Sequence, residues 1–254
     1  MFALASMHRH GGKGVRMNSE TASHWFSEAA KHGDARANLN LGHMILNEEV
    51  QNFGGSEKAA SPMHYFELAA KGGLAEAEFE LGELHFYGNA IHRGENLCQG
   101  IPNNAKDSLH WYTKAAKQGH AKAQFCLGNL LLDKNRTKAI EWYTKAADQK
   151  FMEALYTLGS VLMEDSDQEY HELVKVYTLW EQAVRRGHDK ASKGLKNLEY
   201  KLKLLEKDLP KEEIIDDKGE EGPSVHDDNP DNVASAGTGN FIPKSSSHRY
   251  RMGA

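Results

Sequence analysis

The stretch from His110 to Gly128, HWYTKAAKQGHAKAQFCLG, decides the fold of this chain. Apolar residues recur in it at steps of three and four, first around Trp111 and then around Phe125, which predicts two amphipathic helices. Gly119 separates the two runs, and a glycine just past a helix end adopts the left-handed backbone conformation without a Cβ penalty. The stretch therefore predicts a helix, a tight turn and a second helix.

The same 19-residue pattern occurs four times, and a fifth, degraded copy follows. The other clear copies are HWFSEAAKHGDARANLNLG (24–42), HYFELAAKGGLAEAEFELG (64–82) and EWYTKAADQKFMEALYTLG (141–159), and the degraded copy is LWEQAVRRGHDKASKGLK (179–196). The spacing between copies varies while the block keeps its length, as expected when insertions fall in loops between stacked units. We therefore expect a stack of helix pairs.

Residue size within the block predicts how the helices pack. Alanine pairs and the glycines that end each copy are small enough to let two helices approach closely. We expect bulky aromatic residues to fill the space between successive units. They are Trp25, Phe26, Tyr65, Phe66, Trp111, Tyr112, Trp142, Tyr143 and Trp180. Lys150 stands where the other copies have a glycine, so we expect that turn to be slightly strained or differently built.

The pattern A-x-x-W-[FY]-x-x-A-A-x-x-G-x-x-x-A-x-x-x-L-G resembles the Sel-1-like repeat, a relative of the tetratricopeptide repeat built from antiparallel helix pairs. The resemblance covers residues 19–196 and implies an all-α fold, a right-handed α-solenoid, in a cysteine-poor member of the family. It also implies a role as an adaptor, because members generally bind peptides or protein surfaces on their concave face.

Three regions are expected along the chain. Residues 1–18 resemble a partial repeat that lacks its first helix, so we expect the chain to start within a repeat. Residues 19–206 form the solenoid, in which the leucine-rich segment from Leu195 to Leu205 is expected to be a C-terminal capping helix. Residues 207–254 are expected to be a disordered tail, acidic and then rich in Gly and Ser, since Glu206–Asp231 contains 11 acidic and 3 basic residues.

Charge and composition indicate which partners to expect. Residues 1–205 contain equal numbers of acidic and basic residues, so no excess of positive charge points to nucleic acid. No apolar run is long enough to span a membrane. We expect other proteins or peptides as partners, no nucleic acid and no membrane span, and the oligomeric state stays open. Cys98 and Cys126 could form a disulfide, but the simpler interpretation is a free loop thiol and a small core residue.

Signatures of catalysis are missing from the sequence. The glycine-rich stretch Gly11–Gly14 has neither the spacing of a phosphate-binding loop nor the Ser or Thr that follows it, and the motifs H-E-x-x-H, G-x-S-x-G and S-x-x-K do not occur. We expect no enzyme activity, no cofactor and no metal. Two alternatives remain open: a β-lactam-binding hydrolase, on family precedent alone, or a regulatory fragment of a larger quality-control or signalling protein.

Polar residues that recur at one register of the predicted first helices are the candidate binding residues. His24, His64 and His110 share one repeat position, but neighbouring packed helices lie about 8–10 Å apart, too far for these side chains to share a zinc ion. The alternative is an ordinary solvated surface. The candidate partner-binding face comprises His24, His64, Glu67, His110, Thr113, Lys114, Glu141, Thr144 and Lys145.

Overall fold

The computed structural model describes residues 1–12, 14–50, 61–87, 104–165 and 169–208. Within these ranges the chain is all-α, with eleven helices and a single isolated bridge between Gly12 and Val15. The helices are α1 (Phe2–His10), α2 (Ser19–Lys31), α3 (Ala35–Leu46), α4 (Pro62–Lys71), α5 (Ala75–Tyr87), α6 (Ala105–Lys117), α7 (Ala121–Leu131), α8 (Arg136–Asp148), α9 (Met152–Asp165), α10 (Tyr170–Val184) and α11 (Asp189–Asp208). None of these described helices is long and apolar enough to cross a membrane.

The helices form pairs in the order that the repeats predict. The chain divides into two compact units, Met1–Val161 and Leu162–Ala254. In the first unit every helix from α1 to α7 packs against the helix that follows it. This nearest-neighbour packing of helix pairs is that of an α-solenoid, which confirms the fold class. The region boundaries 1–18, 19–206 and 207–254 stay predictions; residues 207 and 208 still belong to α11, and the rest of the predicted tail lies outside the described residues.

We call α2, α4, α6, α8 and α10 the first helices of their pairs, and α3, α5, α7, α9 and α11 the second helices. Asparagine side chains start three of the first helices. Asn18, Asn104 and Asn135 accept hydrogen bonds from backbone amides three residues later, at the N-termini of α2, α6 and α8. Such caps pair amides that the helix itself leaves without a partner. The first helices therefore begin at defined residues.

The turn between the two helices of a pair has one recurring geometry. Gly33, Gly73 and Gly119 have φ angles of 83°, 84° and 90°, in the left-handed region. The amide of Gly119 donates to the carbonyl of Ala116, and the next amide donates to the carbonyl of Ala115. These bonds close the end of the first helix, as the sequence predicts.

Lys150 keeps this turn without a glycine. Its φ angle is 64°, and its amide donates to the carbonyl of Ala147 at 2.8 Å, while the Phe151 amide donates to Ala146 at 3.1 Å. The turn is therefore built like the others and not differently. A residue with a Cβ atom is held in the left-handed region, which is energetically unfavourable for side chains other than glycine.

An aromatic ring packed on a glycine joins each of three pairs to the next. The glycine lies on a second helix and the ring on the following first helix: Gly42 meets Phe66, Gly82 meets Tyr112, and Gly128 meets Tyr143. All three rings are fully buried. A Cβ atom at Gly128 would lie 2.5 Å from a ring carbon of Tyr143, so this approach requires glycine. The predicted close approach is confirmed, and it occurs between successive pairs.

The residue after each of these glycines contacts the same ring. His43 meets Phe66 edge to face at a centroid distance of 5.2 Å. The hydroxyl of Tyr112 donates a hydrogen bond to the Glu83 carboxylate. The hydroxyl of Tyr143 donates one to the Asn129 side chain at 2.7 Å. Burial raises the pKa of both tyrosine hydroxyls, which keeps them protonated as donors. The polar end of each buried tyrosine thus has a partner.

In the second unit, described by itself, α10 packs against α11. Trp180 is buried, and one of its ring carbons would lie 2.8 Å from a Cβ atom at Gly194 of α11. The segment expected to form a capping helix is continuous with the second helix of this pair, because α11 runs unbroken from Asp189 to Asp208. Leu198 and Leu202 are its buried leucines.

Of the two cysteines, Cys126 lies within the described residues. Cys126 lies on α7 and is fully buried. It is disulfide-bonded, so the interpretation of Cys126 as a small core residue without a bond is wrong. Cys98 lies outside the described residues.

Glu80 on α5 is a mostly buried acid. Burial raises its pKa to about 7, and the charges of Glu83 and Glu76 add to this shift, whereas Lys122 opposes it. His43 Nε2 lies 3.9 Å from Glu80 Oε1, and burial lowers the pKa of this imidazole to about 4. The folded protein therefore holds a proton on Glu80 at a pH at which the unfolded chain has lost it.

Exchanging the residues of two equivalent turns tests the strain at Lys150. Lys150→Gly should raise the free energy of unfolding by about 0.5–1 kcal/mol, because the relief of left-handed strain exceeds the entropy that glycine adds to the unfolded chain. The reciprocal Gly119→Lys should lower it by about 1 kcal/mol. Denaturant unfolding of the full chain measures both. A loss of stability in Lys150→Gly would contradict the strain.

Adding one methyl group tests the contact between ring and glycine. Gly128→Ala should destabilise the protein by about 1–3 kcal/mol, because the new Cβ atom overlaps the ring of Tyr143. In a Tyr143→Ala background the same change should cost much less, since the ring is gone. A double-mutant cycle by denaturant unfolding measures the coupling. Additive effects of the two substitutions would rule out direct contact as the cause.

The pH dependence of stability tests Glu80. Its pKa is raised in the folded state, so the stability it contributes is present below pH 4.5 and is lost as the pH rises through about 7. Relative to Glu80→Gln, the wild type should lose on the order of 2 kcal/mol between pH 5 and 8. Glu141→Gln, an exposed position on α8 that does not contribute to the shift, is the matched control and should follow the wild type. Parallel curves for wild type and Glu80→Gln would refute the raised pKa.

Candidate functional site

The nine candidate residues lie at equivalent positions on four consecutive first helices of the first unit. We call this set the first-helix face: His24 on α2, His64 and Glu67 on α4, His110, Thr113 and Lys114 on α6, and Glu141, Thr144 and Lys145 on α8. Eight of them are exposed, and Thr113 is half-buried. The structure thus brings all nine residues to an accessible, repeated register.

The histidines and lysines of the face lie against aromatic rings of their own helices. His24, His64 and His110 each contact the following ring edge to face, at centroid distances of 5.5, 5.5 and 5.3 Å. Lys114 Nζ lies 4.5 Å from the ring centroid of Trp111, and Lys145 Nζ lies 4.2 Å from that of Trp142. These distances fit cation–π contacts, which hold flexible side chains in place.

The rings beneath them differ in burial from the rings that meet glycine. Trp25, Trp111 and Trp142 are half-buried, whereas Tyr65 is buried. The tryptophans therefore do more than fill the space between units, because each also presents part of its ring to solvent. The face consists of charged and imidazole groups over partly exposed aromatic surface, a composition common at protein interfaces.

The two threonines of the face use their hydroxyl donors within their own helices. Thr113 donates to the carbonyl of Leu109 at 2.6 Å, and Thr144 donates to the carbonyl of Ile140 at 2.8 Å. Their methyl groups and hydroxyl lone pairs remain as contact surface. Among the described residues, no group of three or more His, Cys, Asp or Glu side chains is arranged to hold a metal ion.

A groove opens beside this face, between α2, α3 and α4. Its volume is about 570 Å³. The residues of its lining that matter for chemistry are Ser27, Lys31, Asn38, Tyr65, Lys71 and Gly72. Asn38 is only 8% exposed, and its side-chain amide makes no hydrogen bond to any residue that the structure describes. Sequence reasoning did not find this groove, although Gly72, where two later copies carry glutamine, was a visible signal.

The two lysines of the groove differ in whether their charge is paired. Lys31 forms an ion pair of 2.6 Å with Glu28. Lys71 is exposed and makes no ion pair with a described residue. The groove therefore combines an amide that lacks a partner with one uncompensated positive charge.

Comparisons with known proteins agree with this architecture. The family model of the Sel1 repeat matches residues 1–34, 63–74, 75–120 and 123–151. None of the curated proteins matches the sequence significantly.

Two solved structures resemble the chain. A protective antigen of uropathogenic Escherichia coli strains, described as displaying an SLR fold, is 25% identical with a TM-score of 0.59, and the match covers 78% of this chain and 40% of that one. A Sel1 repeat protein from Oxalobacter formigenes is 23% identical with a TM-score of 0.58, and the match covers 84% and 85% of the two chains. The family match, these folds and the repeated ring and glycine contacts agree, and the chain belongs to the Sel1 repeat family.

Proposed function

We propose that the chain is a non-enzymatic adaptor that binds partner proteins or peptides through the first-helix face. Sel1 repeat proteins generally mediate protein–protein interactions. The observation that carries the proposal is the recurrence of exposed residues at one register of four consecutive helices. Such a regular surface suits an extended partner that contacts several units at once.

The internal contacts of the face support binding with little loss of entropy. The rings of Trp111 and Trp142 already hold Lys114 and Lys145. Lys114 Nζ also lies 3.9 Å from Oε1 of the buried Glu78. Side chains that are ordered before binding lose less conformational entropy when a partner arrives. The partly exposed tryptophans supply apolar area of the kind that dominates binding energy at interfaces.

The alternatives lack comparable support. No feature of the described residues and none of the comparisons favours a β-lactam-binding hydrolase or a regulatory fragment of a larger protein. Sel1 repeats are generally non-catalytic interaction modules. The proposal of an adaptor therefore stands alone.

Affinity capture with the full chain as bait tests the proposed function. A variant that combines His64→Ser, Glu67→Lys and Glu141→Lys alters three exposed positions of the face. Proteins enriched by the wild type should fall by about fivefold or more, because the substitutions change the contact surface without touching the core. Quantitative mass spectrometry provides the measurement.

The control variant combines Glu76→Lys with Asp133→Lys. Both residues are exposed and lie outside the face, and the change in net charge is the same. This variant should retain the partners of the wild type. Equal losses from both variants, or no protein enriched by the wild type, would argue against the first-helix face.

A further inference from the structure

The groove between α2, α3 and α4 exists because one side chain is missing at a repeated position. Gln118 and Gln149 follow the last residues of α6 and α8, and Gly72 occupies the same position after α4. In the two later pairs the glutamine covers a polar residue of the preceding second helix. At Gly72 there is no side chain to do so.

The two later junctions show what such a side chain does. Gln118 Nε2 donates to Oε2 of the buried Glu78 at 2.6 Å, and Gln149 Nε2 donates to Oε1 of the buried Gln124 at 2.8 Å. Asn38 occupies the position of Glu78 and Gln124 in the first clear copy, four residues before the terminal glycine. Asn38 as a whole residue is 8% exposed, and its side-chain amide has no hydrogen-bond partner among the described residues. The amide is not among the fully buried unpaired atoms of the described residues and lines the groove, so a ligand that replaces water there gives it a fixed partner.

The chain itself cannot easily close this gap with a larger residue at position 72. A Cβ atom at Gly72 would overlap the Cβ atom of Ala35 at the start of α3. Gly72 thus allows α4 to approach α3 and at the same time leaves the groove uncovered. The missing group therefore has to come from outside this turn.

We propose that this groove binds a glutamate side chain of a partner peptide. Glutamate has the same two methylene groups as the glutamine that fills the equivalent position in the later pairs. Its carboxylate accepts a hydrogen bond from the Asn38 amide and pairs with Lys71, the cation of the groove that lacks an ion pair with a described residue. A neutral glutamine satisfies only Asn38, and a lysine side chain is repelled by Lys71. This inference rests on the proposed function and names one subsite and its chemistry.

A nuclear magnetic resonance titration of the full chain tests the proposal. The probes are three blocked pentapeptides with two alanines on each side of a central glutamate, glutamine or lysine. The glutamate peptide should cause saturable shifts of the Asn38 side-chain amide and the Gly72 backbone amide. The lysine peptide should cause none, and the glutamine peptide should bind at least about fivefold more weakly.

Matched variants locate the charge. Lys71→Glu should weaken the glutamate peptide by about tenfold or more, whereas Lys117→Glu, at the same position of the third copy, should change affinity less than twofold. Both lysines are exposed, so neither change threatens the fold. Asn38→Leu should abolish the shift at Gly72. Leucine occurs naturally at the equivalent position, Leu155, and is buried there.

Several outcomes would overturn the proposal. They are equal binding of the three peptides, equal effects of Lys71→Glu and Lys117→Glu, or no saturable shift at any soluble concentration. A further outcome concerns the full chain without peptide. If the Asn38 amide shift then depends on salt and this dependence is lost in Lys71→Glu, the groove binds the chain's own acidic segment Glu206–Asp231. That result would overturn the choice of a partner peptide.

The peptide titration and the capture experiment fail independently. If capture depends on the first-helix face but the glutamate peptide does not bind, the groove inference is wrong and the adaptor proposal stands. If the peptide binds as expected but no protein is captured through the face, the adaptor proposal in its present form is wrong.

Discussion

The contact between an aromatic ring and the backbone of a glycine is the constraint on which the first unit depends. A first helix can lie close to the preceding second helix only where the ring of Phe66, Tyr112 or Tyr143 finds no Cβ atom in its way. The ring fills the volume that the glycine leaves, so the buried interface is dense and apolar. The register of the first-helix face follows from how these contacts place successive first helices.

Much of this fold could be predicted from the sequence, because repetition identifies the positions that packing controls. The blocks that end at Gly42, Gly82 and Gly128 predict helix pairs, and the structure has them. The identity of the helices that meet at each glycine could not be read in the same way, since a period of three or four residues marks a buried face but not its neighbour. The sequence also left the geometry at Lys150 uncertain, because a lysine there suggests a different turn. Two backbone hydrogen bonds hold the same turn whatever the side chain, and the sequence does not display them.

The candidate site was predictable to a similar depth. Helical register was sufficient to expect exposure of His64 and Lys145. It was not sufficient to show that Lys145 lies on the ring of Trp142 or that the hydroxyl of Thr144 bonds within its own helix, because those contacts depend on rotamers. The groove was missed for another reason. A glycine in place of a glutamine is visible in the sequence, but the uncovering of Asn38 requires knowing which residue the glutamine covers.

The residue that follows each interface glycine constrains how the repeat array can change during evolution. If the ring and the glycine were the only contacts at a junction, all junctions would be equivalent, and copies could be duplicated, deleted or reordered without loss of stability. The polar partners differ: His43 faces a phenylalanine, whereas Glu83 and Asn129 each accept a bond from a tyrosine. A reshuffled array would set Phe66 against a buried carboxylate or leave a tyrosine hydroxyl opposite an imidazole. Each junction therefore has its own matched pair of residues, and a stable fold depends on the order of the repeats.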